Sequence, residues 1–215
     1  GGAAASPFLL GDAVILLQDS DTGSFLSAFD KQSGKEIWRT SRADFRRNYC
    51  TPVVWKVDGQ AQIVVAGTAH VVGYNAASGE QIWYVRGSSR VISATPVVGE
   101  DGNLYVANTG GGEAPPQPSF EDLIASDGNA NGKLEAGELP GSLIKSFFSQ
   151  FDRDKDKSLD EAEYESIRHT LEFAQPVAMR IRPGGRGDIT DTHVAWRYER
   201  SLPRNSSPVV YDGHL

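Results

Sequence analysis

The chain has 215 residues, 39% of them hydrophobic, and a formal net charge of −7. That is enough apolar material for one sizeable domain or two small ones, and no run of eighteen apolar residues is present to span a membrane. The acidity is local: residues 112–176 carry fourteen acids and six bases, net −8, and the rest is net +1, which argues against nucleic acid as the main partner.

Cys50 is the single cysteine, so no internal disulfide forms and the compartment cannot be read from it. The chain begins Gly-Gly-Ala-Ala-Ala rather than with Met, so the lack of a visible secretory signal carries no weight. Four Trp and 23 Gly suit a turn-rich β protein.

In chain order, the first unit opens at Ser6-Pro7 and closes at Asp30-Lys-Gln-Ser33-Gly34-Lys35-Glu-Ile37-Trp38. The second opens at Thr51-Pro52 and closes at Asn75-Ala-Ala-Ser78-Gly79-Glu80-Gln-Ile82-Trp83. A third opens at Thr95-Pro96 and reaches its Trp at Trp196, and a fourth begins at Ser207-Pro208. A period of about 45 residues with four strand signals per unit predicts propeller blades. Within the second unit the strands are predicted over 51–57, 62–66, 70–75 and 81–86. Gly34 and Gly79 read as turn residues, and each Trp as packing between neighbouring blades.

The recurring Asp/Asn…Ser-Gly-(Lys/Glu)…Ile-Trp ending resembles the quinoprotein-type (PQQ-like) β-propeller repeat. The resemblance covers residues 5–108 and 177–215. It implies a mainly β fold, a partial β-propeller of four-stranded antiparallel blades, from a parent protein longer at both ends. Proteins of this type are bacterial and mostly exported, so it also implies a periplasmic or secreted location.

The third unit is interrupted. Residues 104–107 read as its second strand, 177–182 as its third, Pro183–Gly185 as a turn and 192–198 as its fourth. The expected organisation is therefore 1–108 for blades one, two and the start of three, 109–175 for an insert at a hairpin tip, and 176–215 for the rest of blade three and the start of blade four. The insert opens with a Gly/Pro linker over 110–118 and an entering helix over 120–126. Leu143, Ile144, Phe147, Phe148 and Phe151 form one helical apolar stripe, and Tyr164, Ile167 and Leu171 another. The middle helix is expected to serve both loops described next.

Two twelve-residue runs, 127–138 and 152–163, each put oxygen side chains at positions 1, 3, 5, 9 and 12. A hard divalent cation needs that spacing from a loop closing into a helix. Both runs resemble the EF-hand. Carried over by position, the ligands in the first are Asp127, Asn129, Asn131, the carbonyl of Lys133, Glu135 and Glu138. In the second they are Asp152, Asp154, Asp156, the carbonyl of Ser158, Asp160 and Glu163. Glu135 and Asp160 act directly or through water. The cofactor implied is calcium at two sites. Leu134 and Leu159, both at position 8, are expected to pair inside. Gly132 takes the sharp turn in the first loop, whereas Lys157 stands there in the second, at a cost of roughly 1 kcal/mol if φ is positive.

Arg42, Arg46, Arg47, Arg90 and Arg204 fall in the connections between units and read as a basic rim that binds an anionic ligand or docks the acidic insert, or as plain solvated arginine. Arg186-Gly-Asp188 spells a cell-attachment tripeptide in the turn between two strands, a sequence that Gly-rich turns produce easily. His70, His169, His193 and His214 show no metal spacing, and no nucleophile–base set or phosphate loop is visible. No catalytic residue is assigned. The favoured reading is a non-enzymatic calcium-binding propeller module with an unknown protein or polymer partner at the propeller face. Part of a quinone-dependent dehydrogenase and a calcium sensor are the alternatives.

Overall fold

The computed structural model describes residues 5–20, 23–45, 48–108, 116–125, 127–200, 202 and 206–215. Short alternating apolar runs between Gly turns fold into successive antiparallel sheets. The first sheet is β1 (Phe8–Leu10), β2 (Ala13–Gln18), β3 (Phe25–Asp30) and β4 (Glu36–Ser41), paired in chain order. The second is β5 (Val53–Val57), β6 (Gln60–Gly67), β7 (His70–Asn75) and β8 (Gln81–Arg86), again in order. The third begins with β9 (Val97–Val98) and β10 (Leu104–Asn108).

The chain then leaves for α1 (Phe120–Ile124), β11 (Leu134–Glu135), α2 (Ser142–Phe151), β12 (Ser158–Leu159) and α3 (Glu161–Phe173). It returns through β13 (Val177–Ile181), β14 (Gly187–Asp188), α4 (Thr190–His193) and β15 (Val194–Tyr198). β13 pairs antiparallel with β10 and β15 with β13, so the third sheet is completed across the excursion. The chain forms two compact units, Gly1–Gly112 with Ala174–Leu215, and Glu113–Phe173. The first is mainly β, built of antiparallel sheets that match partial propeller blades.

Two cores hold the sheets of the first unit together. Ile15, Leu17, Leu26 and Ala28 of sheet one meet Ile63, Val65, Val72 and Tyr74 of sheet two. Trp55, Val64, Val71, Trp83 and Val85 of sheet two meet Leu104, Val106, Val177, Met179 and Ile181 of sheet three. Trp38 and Trp83 behave as the repeat predicts. Trp38 lies over the turn at Gly79, where φ is +75° and a Cβ would come within 2.4 Å of the ring. Trp83 is fully buried, covers Gly73, stacks edge-on against Trp55 at 5.9 Å and donates its indole N–H to Gln62 Oε1 at 2.7 Å.

The repeat also fixes a chain of hydrogen bonds that sequence reading missed. Each unit opens with Ser or Thr before Pro, and each such N–H donates to the hydroxyl of the next. Ser6 donates to Thr51 Oγ1 (3.3 Å), Thr51 to Thr95 Oγ1 (3.4 Å) and Thr95 to Ser207 Oγ (3.0 Å). The start of the fourth repeat thus takes the next position in the series. Beyond it, the β structure of the described residues 206–215 is an isolated bridge between Tyr211 and His214.

Three expectations are corrected. Arg42 is not a rim arginine. Its side chain is fully buried against Asp19, with Nε and a terminal nitrogen each 2.8 Å from one carboxylate oxygen, and it also donates to the Tyr74 hydroxyl. Asn48 joins them, donating to Asp19 Oδ2 (3.1 Å) and Ala66 O (2.7 Å). A guanidinium can enter a core only with its charge and donors met, and Asp19 supplies both. Arg90 is half-buried, and Arg46, Arg47 and Arg204 lie outside the described residues.

Secondly, Arg186-Gly-Asp188 is not a free turn. Gly187 and Asp188 pair parallel with Trp83 and Tyr84, covering the outer edge of β8, and Asp188 lies 3.0 Å from Arg86. An exposed strand edge is a liability, and this segment masks one. Thirdly, the fourth strand of blade three starts at Val194 rather than 192. Thr190 N and Oγ1 both donate to Asp188 Oδ1 (3.0 and 2.5 Å), which folds the preceding residues into the helical turn α4.

Cys50 is buried, its thiol donates to Ala66 O at 3.1 Å, and burial pushes it up to about 12. The thiolate is the reactive species. The folded protein at pH 8 is therefore expected to resist an aromatic disulfide reagent until denaturant is added. Rapid reaction of the native chain would contradict this placement.

Candidate metal centre

The second unit is built to hold its two loops side by side. Ser119 caps α1 in a reciprocal box with Asp122. Pro140 and Gly141 interrupt the chain after the first loop, so α2 starts only at Ser142 and runs directly into Asp152. Ile144, Phe151, Tyr164, Ile167 and Leu171 are buried together with Leu134, Leu139 and Leu159, and Phe147 and Phe148 pack against them. The side chain of Leu143 and residue Ser126 lie outside what is described. β11 and β12 pair Leu134 with Leu159, both fully buried. The apolar position 8 of each loop is thus the seam between them.

The loops share one hydrogen-bond pattern. Position 1 accepts from the amide of position 6: Asp127 Oδ2 from Gly132 (2.9 Å) and Asp152 Oδ2 from Lys157 (3.2 Å). Position 3 accepts from position 5: Asn129 from Asn131 (3.0 Å) and Asp154 from Asp156 (3.1 Å). Position 5 accepts from position 7: Asn131 from Lys133 and Asp156 from Ser158, both 2.8 Å. Position 12 reaches back with both oxygens. Glu138 accepts from Gly128 and Glu135, and Glu163 from Arg153 and Asp160. Asp156 Oδ1 also accepts from the Ser158 hydroxyl at 2.6 Å, whereas the closing Glu138 and Glu163 use one lone pair of each oxygen in these bonds and keep another.

Backbone strain repeats as well. Gly132 and Lys157 at position 6 have φ of +76° and +72°, and Ala130 and Lys155 at position 4 have +56° and +62°. The sequence pointed to position 6 alone; only a glycine there could signal it, and position 4 has none. Lys157→Gly removes a Cβ from a left-handed residue. It is expected to stabilise the second unit by about 0.5–1 kcal/mol, read from its melting curve, whereas Gly132→Lys should cost a similar amount. A neutral or destabilising Lys157→Gly would contradict the strain.

Asp152, Asp154 and Asp156 bring one carboxylate oxygen each to within 4.8 Å of the others. Among the described residues, Asp152 Oδ1 is buried and has no hydrogen-bond partner. Buried acceptors are ordinarily satisfied, and this one is left able to accept beside the carboxylates of Asp154 and Asp156. Lys133 Nζ, from the first loop, contacts Asp156 Oδ2 and lies 3.9 Å from Asp154 Oδ2. That contact, with the Ser158 hydroxyl and amide, holds the Asp156 carboxyl down to about 2. The Asp127 carboxyl is also lowered, chiefly by the Gly132 amide. A depressed carboxylate pKa contributes stability above the unfolded value of about 3.9 and loses it as pH falls through the folded value. Asp127 and Asp156 therefore stay charged at neutral pH, and the stability their contacts contribute is lost only in acid.

The first unit carries a separate cleft of about 440 Å³ between the turns of blade two and Gly184–Arg186. Gln60, Gln62, Asn75 and Gln81 line it, with Asp58 and Glu80. Among the described residues no helix is long and apolar enough to cross a membrane.

A family model described as outer membrane protein assembly factor BamB matches residues 21–130, just over half of the chain. The chain belongs to this PQQ-repeat family. Its match covers the second half of blade one, all of blade two and the opening of blade three, and runs on into the second unit as far as residue 130. Among solved structures, BamB from Moraxella catarrhalis is similar over 47% of this chain and 33% of its own, at 20% identity and a TM-score of 0.38. A quinohemoprotein alcohol dehydrogenase from Pseudomonas putida HK5 is similar over 90% of this chain and 26% of its own, at 13% identity and a TM-score of 0.41. The chain thus spans a third or less of either protein. No curated protein matches it.

Proposed function

We propose that this chain is a calcium-binding propeller module: PQQ-like blades that bind a protein or polymer, with an inserted EF-hand pair whose two ions act as a structural clip. The observation that carries the reading is the hydrogen-bond pattern shared by the two loops, with bidentate-ready Glu138 and Glu163 closing each. The donor set is all oxygen, which suits a hard cation. Carboxylates and amides from positions 1, 3, 5, 9 and 12, with the carbonyls of Lys133 and Ser158, would hold calcium at each loop. The unpartnered Asp152 Oδ1 supports a cation in the second.

The clip reading rests on the seam. Leu134 and Leu159 pair the loops, and the helices around them share one core, so ions would stiffen an already closed unit rather than open a groove as in sensors. The family's description as an assembly factor supports a protein-binding role and a periplasmic or secreted location. The amide-lined cleft of the first unit is the candidate surface.

Thermal unfolding of metal-stripped protein tests the clip. Calcium at a hundred times its dissociation constant adds about 2.7 kcal/mol per site, and sites of the extracellular kind have constants of about 10⁻⁴–10⁻³ M. The expected result is a rise of several degrees for the second unit at high millimolar calcium, with less from magnesium. An unchanged melting curve would overturn the clip. Quinone-dependent turnover on reconstitution with quinone and an electron acceptor would favour the dehydrogenase reading instead.

A further inference from the structure

Lys133 belongs to both loops at once. Its backbone carbonyl stands at position 7 of the first, while its ammonium contacts Asp156 and approaches Asp154 at 3.9 Å in the second. These two carboxylates, with Asp152, are the oxygens that converge within 4.8 Å. The second loop has three bases of its own, Arg153, Lys155 and Lys157. Among the described residues neither Lys155 nor Lys157 pairs with a carboxylate. A cation from the neighbouring loop, Lys133, meets the cluster instead, brought there by the β11–β12 pairing at Leu134–Leu159.

We propose that the Lys133 ammonium is a built-in competitor for the second loop, occupying Asp154 and Asp156 until calcium displaces it. This rests on the calcium reading above. In the metal-free state the ammonium neutralises a cluster that would otherwise repel itself, which keeps the loop shaped. Calcium entering there must break the Lys133 contact, whereas calcium entering the first loop uses only the Lys133 carbonyl. The first loop therefore fills first, although the second carries more acidic ligands, and Lys133 sets the calcium concentration at which the second follows.

The test is site-resolved calcium titration of the full chain by amide spectra, using Gly132 for the first loop and Lys157 for the second. Each amide donates to its loop's position-1 carboxylate and so reports that loop alone. Lys133→Gln keeps the position-7 carbonyl and removes the competitor. Lys155→Gln removes the same charge from within the second loop without breaking an ion pair. Lys133→Gln is expected to tighten the second loop about threefold to fivefold, the range of a partly exposed ion pair, and to leave the first loop within about twofold. Lys155→Gln should change the second loop less than about twofold. Equal effects of the two variants would reduce the role of Lys133 to general charge and overturn the proposal. So would an unchanged or weaker second loop in Lys133→Gln. If the unmodified chain bound calcium at neither loop, the calcium reading itself would fall, a result distinct from either of these.

Discussion

Asp19→Ala is expected to cost the first unit about 3–5 kcal/mol, the range for breaking a buried ion pair from one side. Arg42 is fully buried and has Asp19 on two of its nitrogens. Burial works against its charge, and contact with Tyr74 and Asp19 more than offsets that, so the guanidinium stays charged. Removing Asp19 leaves the cation without its counter-charge between blades one and two, and deprives Asn48 of an acceptor. Denaturant unfolding measures the loss. The double variant Asp19→Leu with Arg42→Met removes both charges and should recover much of it, because an apolar pair of similar volume avoids the desolvation cost. A loss below about 1 kcal/mol in Asp19→Ala would show that water reaches the pair.

Glu163→Gln is expected to weaken calcium at the second loop by at least about a hundredfold. Residues merely behind a metal ligand cost up to that much, and on the proposed reading this one would supply the closing bidentate carboxylate. The metal-free fold should lose one hydrogen bond, roughly 1 kcal/mol, because Glu163 accepts with both oxygens. Glu163 also reaches back to the Asp160 amide while Asp160 accepts from Glu163 N, a reciprocal cap at the start of α3. Glutamine can keep that cap with its single oxygen, but its amide nitrogen cannot replace the oxygen that accepts from the Arg153 amide. Calorimetry should then find the first loop's binding intact and the second's gone, with the reverse for Glu138→Gln. Loss of both sites in either single variant would mean that the loops bind as one.

The blades were legible because their signals are periodic. Trp38 and Trp83 recur 45 residues apart, Gly34 and Gly79 stand at matching turns, and the structure places both Trp between sheets. The Leu134–Leu159 seam was legible for the same reason: two loops in one register predict their own pairing. What escaped was long-range and aperiodic. Arg42 finds Asp19 across 23 residues of sequence, and nothing local separates an arginine bound for a core from one on a rim. The parallel seat of Gly187–Asp188 on β8 depends on an open edge more than a hundred residues earlier. The contact of Lys133 with Asp156 joins residues 23 apart, one from each loop, and neither loop's motif assigns the position-7 side chain any task.

The measurement that bears most directly on the account is calorimetric titration of the metal-stripped full chain with calcium. Two binding events per chain, the tighter at the loop reported by Gly132, are the predicted result. No heat and no bound calcium at millimolar concentrations would contradict it, and would return the search for function to the blades and the amide-lined cleft.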